Sequence, residues 1–224
     1  MLAPLRSCAR DRLARAITHP AVTHYRGYVK APGHLTGQWL DAPEGHRWWF
    51  DSGSTALDFA YTGTVGPNTR EILHTDNDLS SWLIERFEEF DGAVTERELA
   101  DAKALRETIA RAVIAISRGA DPAGEDVDLI NLFAATPDIP PVLAGGRRQA
   151  GRSRVRVGQT LSALARECVE VFSPDESERI RECAAFDCSY VFYDESRSNN
   201  RRWCSMQRCG NRAKVRTHRA KSMA

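Results

Sequence analysis

Four cysteines near the end of this 224-residue chain carry its most recognisable chemistry: Cys183-x4-Cys188 and Cys204-x4-Cys209, two matched pairs around a short aromatic segment. Soft thiolates grouped in pairs suit a closed, tetrahedral, all-sulfur site holding one structural Zn2+, because such a cage favours zinc over magnesium, calcium or manganese. Two disulfides are the competing reading, and they need an oxidising compartment. The first twenty residues are interrupted by Arg6, Arg10, Asp11, Arg12 and Arg15 and have no apolar core, so they do not read as a secretory signal. The x4 spacing is less diagnostic than x2 and leaves both readings standing. Enzyme chemistry ranks last: a four-thiolate site has no open position, and the sequence shows no HExxH, nucleophile elbow or phosphate loop.

Charge is segregated around these cysteines. Of 31 basic and 30 acidic residues, nine basic and no acidic ones fall in 197–224, so the first 196 residues hold 22 basic and 30 acidic groups. The near-neutral total therefore conceals an acidic body and a strongly basic tail, a pattern suited to nucleic acid or another anionic surface. Arg197, Arg201, Arg202, Arg208, Arg212, Lys214, Arg216 and Arg219 are the candidate phosphate contacts, with Asn211 able to read adenine or to cap a helix. Neutralising a zinc tetrathiolate is the alternative use of the same cations, and nine exceed what one site requires.

The run Cys183-Ala-Ala-Phe-Asp-Cys188, then Phe192-Tyr-Asp194, Ser196-Arg197, Arg201-Arg202-Trp203-Cys204-Ser-Met206 and Cys209-Gly-Asn-Arg212-Ala-Lys214 resembles the CGNR zinc finger. That finger closes two-domain bacterial proteins whose first part is the ABATE domain, described as a putative stress-induced transcription regulator. The stretch from Gly53 through Leu57-Asp58-Phe59 to Thr62 is similar to the ABATE signature G-x-x-x-LDF-x-N-T, with Tyr61 standing where the family has Asn. The resemblance implies zinc and a DNA-directed role, and it singles out Asp58, Tyr61 and Thr62 for an effector-binding or a structural role. Asp58 also fits a helix N-terminal turn, where the dipole favours a carboxylate.

These residues need elements to hold them. Tyr190–Tyr193 reads as a strand, Ser198-Asn199-Asn200 as a turn, and Arg201–Trp203 as the returning strand. Asn211–Lys221 reads as a helix with Arg212, Arg216 and Arg219 on one stripe and Val215 and Ala213 toward the metal. Knuckle, hairpin and helix in that order resemble a treble clef. A lobe this small cannot hold by burial alone, and structural zinc contributes on the order of 10–16 kcal/mol in finger peptides.

Upstream, the expected fold is mainly α with a small β-hairpin: residues 1–46 as a disordered extension, 47–173 as an ABATE-like helical sensor domain, and 174–224 as the finger. Arg47–Phe50 is strand-like, and Ser54 or Thr55 caps a helix over Ala56–Thr62. Leu79–Phe90 carries a helical stripe, and Thr95-x-x-Glu98 is a capping box opening the longest helix, which stops at Gly119. Asp126–Ala135 forms a shorter helix with Leu129, Leu132 and Phe133 inward. Residues 141–158 alternate with period two, predicting a hairpin with a basic face, and Gln159–Phe172 is amphipathic. Ser173-Pro174 marks a hinge. Trp82, Arg106 and Asn131 are conceivable pocket residues. No apolar run approaches the roughly 18 residues a membrane span needs.

Together these features predict a zinc-dependent, cytoplasmic, DNA-binding transcription regulator whose N-terminal domain senses a small-molecule effector. A homodimer is compatible with palindromic sites. An RNA-binding or protein-interaction zinc module is the alternative, since treble clefs serve all these purposes.

Overall fold

Alternation with period two builds the first element pair. Gln38 and Leu40 of β1 (Gln38–Asp41) and Trp48 and Phe50 of β2 (Arg47–Phe50) turn inward, while Trp39 and Trp49 turn out. The strands pair antiparallel with Trp39 opposite Trp49. The computed structural model describes residues 36–42, 45–87, 90, 92–137, 139 and 155–222, all within one compact unit spanning Pro32–Ala224. The extension expected over 1–46 is therefore corrected at its end: β1 is ordered because Leu40 is buried and the Gln38 amide donates to the Asp58 carbonyl at 2.7 Å. Residues 1–35, including Cys8, lie outside the described residues, as does most of the hairpin expected over 141–158.

Helix starts follow their caps. Ser54 caps α1 (Thr55–Ala60) by accepting the Leu57 N–H. The first N–H groups of the helix, at Thr55 and Ala56, donate to Glu167 of a later helix, each at 3.0 Å, placing a carboxylate at a helix N-terminus. Helix α2 (Asp76–Ile84) opens on a Thr75–Asp78 capping box and so begins and ends earlier than its apolar stripe suggests. The Thr95–Glu98 box opens α3 (Glu96–Ser117), and Gly119 follows it with φ +72°. Helix α4 (Gly124–Ala134) departs from the expected phase. Arg111 of α3 holds the buried Asp126 at 2.6 Å, which turns Ile130 inward and leaves Leu132 outside, 67 % exposed. Helix α5 (Val157–Val171) buries Leu161, Leu164, Ala165 and Cys168. The 22-residue α3 is the spine, packing against α1, α2, α4 and α5 and reaching the C-terminal strands.

The C-terminal hairpin pairs differently from expectation. Strand β4 (Val191–Tyr193) runs antiparallel to β3 (Ile180–Glu182), and 201–203 forms no strand. The Arg201 guanidinium donates to the carbonyls of Trp203, Cys204 and Asp51 at 3.1, 2.7 and 2.6 Å, so this segment is held by side-chain bonds in place of a ladder. A wide π-helical turn over Met206–Gly210 leads into α6 (Asn211–Ser222).

Nor does Ser173-Pro174 act as a free hinge. The chain turns tightly there, with Ser177 N–H on the Ser173 carbonyl at 2.8 Å, and the two halves share one aromatic core. Tyr190 lies 5.3, 5.1 and 5.5 Å from the rings of Trp48, Phe50 and Tyr61. Tyr193 N–H donates to the Ser52 carbonyl at 2.8 Å, and a Cβ on Gly53, whose φ is +79°, would lie 2.1 Å from the Tyr193 carbonyl oxygen. Only glycine permits that approach. Among the described residues no helix is long and apolar enough to cross a membrane.

Candidate metal centre and basic helix

The β3–β4 loop supplies Cys183 and Cys188, and the turn before α6 supplies Cys204 and Cys209. Their four sulfurs all lie within 4.8 Å of one another. Cys204 Sγ is 3.6 Å from Cys188 Sγ and 3.5 Å from Cys209 Sγ. A tetrahedron of Zn–S bonds near 2.3 Å has edges of about 3.8 Å, so the set fits one zinc ion, whereas the free, unbridged sulfurs do not form disulfides. Four ligands close the coordination shell. The four cysteines are the ligand set of one structural zinc.

Hydrogen bonding among the sulfurs favours the charged state at Cys183. Cys188 and Cys204 thiols donate to Cys183 and hold it far below the usual thiol range, while they themselves are pushed up beside that charge. Four thiolates together therefore need a cation at their centre. The Cys204 backbone N–H donates to Cys183 Sγ at 3.3 Å, and the Arg212 guanidinium to Cys209 Sγ at 3.2 Å. The Cys209-Gly-Asn-Arg212 run thus acquires a physical reading. Cys209 is a ligand, and Gly210 leaves room for Met206, whose sulfur would lie 2.6 Å from an added Cβ. Asn211 is exposed in helical backbone, and Arg212 braces the ligand sulfur.

The helix is rotated from its expected setting. Arg212 and Arg216 both turn back to Asp187 of the knuckle, at 3.1 and 3.3 Å, and Arg216 lies 4.2 Å over the Phe186 ring. Val215, expected to face the metal, is half exposed. Arg201 is the clamp already described, stacked 4.1 Å from the Phe192 ring centre. Arg208 lies 4.8 Å over Trp48 and 5.6 Å over Tyr190. Lys214, Arg219 and Arg197 are exposed and form no ion pair among the described residues. Arg202, Lys214, His218 and Lys221 instead line an open groove of about 420 Å³ with Trp203 and Gly210, and none of its lining residues is acidic. Sequence reasoning missed this face, although Lys214, His218 and Lys221 are spaced by four and three residues.

The ABATE-like residues tie α1 to its neighbours through hydrogen bonds. Asp58 is fully buried, accepts the Gly37 backbone N–H and the Ser52 hydroxyl, and so fastens the β1–β2 hairpin to α1. Burial pushes its carboxyl up to about 7, with the two hydrogen bonds opposing. Tyr61 reaches the finger: its hydroxyl donates to the Val191 carbonyl at 3.1 Å and accepts the Val191 N–H at 2.8 Å. Thr62 donates to the Phe59 carbonyl at 2.7 Å and closes the end of α1. Of the conceivable pocket residues, Trp82 packs on Phe59, Arg106 grips Glu71 with two bonds of 2.8 and 2.9 Å, and Asn131 is exposed.

A helical domain fused through a shared core to a four-cysteine finger defines a class of small zinc proteins. Residues 53–174 match the ABATE family, described as "Putative stress-induced transcription regulator", and residues 179–222 match the CGNR zinc finger. The chain belongs to the ABATE family and carries a CGNR finger behind that domain. No curated protein matches it.

Proposed function

We propose that this protein is a DNA-binding transcription regulator whose zinc centre positions α6, with residues 47–173 sensing an effector and 174–224 reading the DNA. The groove along α6 carries the reading: Arg202, Lys214, His218 and Lys221 face one open channel with no acidic residue in its lining. Arg212 and Arg216 support that face indirectly, since their charge is spent on Asp187 and Cys209. Arg197 and Arg219 extend the cationic surface, and a homodimer would present two such helices to a palindrome. Free thiols require a reducing compartment, which suits the cytoplasm.

The test is duplex binding by the zinc-loaded chain over a salt series. Log affinity should fall with log salt at about −0.9 per phosphate neutralised, and Lys214→Ala/Lys221→Ala should reduce that slope by about two. A flat dependence rejects the DNA reading. Selection of genomic fragments with the same pair of proteins then shows whether binding is sequence-specific.

A further inference from the structure

A second groove, of about 600 Å³, lies between the β1–β2 hairpin and the finger and shares Arg202 and Trp203 with the basic channel. Trp49 lines it from β2, Trp203 and Met206 from the finger, and Asp51, Asn200 and Gln207 add hydrogen-bonding groups. That volume suits a small planar ligand. The indole of Trp49 is set before anything binds: it lies over Gly37, where an added Cβ would be 2.6 Å from the ring, and edge-on to Trp39 at 5.4 Å. Trp39 and Trp49 nevertheless remain 51 % and 37 % exposed. Rigid indoles kept at the surface offer stacking area with little conformational entropy to lose.

The polar lining decides what stacks there. Arg201 and Asp51 both line the groove, but the Arg201 guanidinium is committed to three backbone carbonyls and the Phe192 ring. A neutral ring with hydrogen-bonding edges therefore belongs here, and the anionic backbone belongs in the neighbouring channel, whose lining has no acidic residue. Arg202, common to both grooves, joins the two. We propose that this groove takes an unpaired nucleobase of bound DNA, stacked on Trp49, with the adjoining phosphates passing Arg202 onto Lys214 and Lys221. This rests on the DNA reading above and adds to it a preference for distorted or single-stranded sites.

The experiment compares the zinc-loaded full chain on two short DNA duplexes, one fully paired and one with a single unpaired 2-aminopurine. Anisotropy gives affinity and 2-aminopurine emission reports stacking. The unpaired duplex should bind about five- to a hundredfold tighter, with quenched emission. Trp49→Ala should abolish the difference while leaving paired-duplex affinity unchanged, and Trp49→Phe should keep part of it. Equal affinities with unquenched emission overturn the base site and leave the duplex reading intact. Failure to bind either duplex overturns both. Quenching in the unaltered chain decides the matter even where Trp49→Ala does not fold, which its zinc content reveals.

Discussion

At Tyr61 a departure from the family signature has a visible consequence. One hydroxyl serves both backbone groups of Val191 and is buried with them, so Tyr61→Phe strands a buried N–H and carbonyl at once. The expected cost is about 1–3 kcal/mol, read as a lowered thermal midpoint with zinc still bound. Asp58 gives a different signature. The Ser52 hydroxyl, with one proton, lies 2.6 Å from Asp58 and 2.8 Å from the Ser54 carbonyl. Burial outweighs the bonds that Ser52 and Gly37 donate to the carboxylate and raises the carboxyl to about 7. Between its ordinary value of 3.8 and 7 the folded chain keeps a proton that the unfolded chain has lost. Its contribution is therefore complete below the lower value and declines as pH rises toward 7, by at most about 1.4 kcal/mol per unit. Asp58→Asn mimics the neutral acid, so thermal melts should show the variant gaining on the parent from pH 4 to 7, then a constant difference. An unchanging difference across that range would mean that Asp58 is ionised in the fold.

Among the elements, α6 shows how much the sequence discloses. Its existence, its basic character and the four ligands that anchor it were legible, because cysteine spacing and charge segregation are properties of the chain itself. Its rotation was not: the helix turns on Asp187, a residue in another loop that no periodicity connects to Arg212 and Arg216. The same holds for α4, whose phase depends on Arg111, and for β4, whose partner is 180–182, across the first cysteine pair, not 201–203. Strand β1 was hidden because four residues with one inward leucine give too short an alternation, and its order depends on Asp58 and Trp48 elsewhere in the chain. The rotation makes a prediction that separates two faces of one helix. Arg212→Gln should weaken zinc binding about 10–100-fold in chelator competition, since groups that brace a ligand tune the metal. Lys214→Gln, on the opposite channel, should leave zinc affinity unchanged and weaken DNA.

For the molecule as a whole, the shared aromatic core joins the fate of the helical domain to that of the metal. Trp48, Phe50 and Tyr61 on one side and Val191 and Phe192 on the other are buried together with the partly buried Tyr190 packed against them, and α3 touches both C-terminal strands. Arg118 at the end of α3 pairs with Glu182 at 3.1 Å, and the Asn68 amide donates to the Ser189 carbonyl at 3.3 Å. A finger tethered by a loose hinge would melt alone when its zinc is removed, leaving the helices at their original midpoint. Here loss of the metal should expose the Tyr190 side of the core and lower the stability of the helices as well. Chelation followed by calorimetry and far-UV circular dichroism checks this. A single zinc-dependent transition, shifted down as the metal is withdrawn, is expected, with Cys204→Ser behaving like the metal-free chain. A zinc-independent helical transition at the original temperature would show that the halves are energetically separate. In the regulator proposed above, coupling of this kind would give an effector a physical route to DNA: a ligand that moved β2 or α1 would repack the rings against Tyr190. The channel that Arg202 and Lys214 share would then move with them.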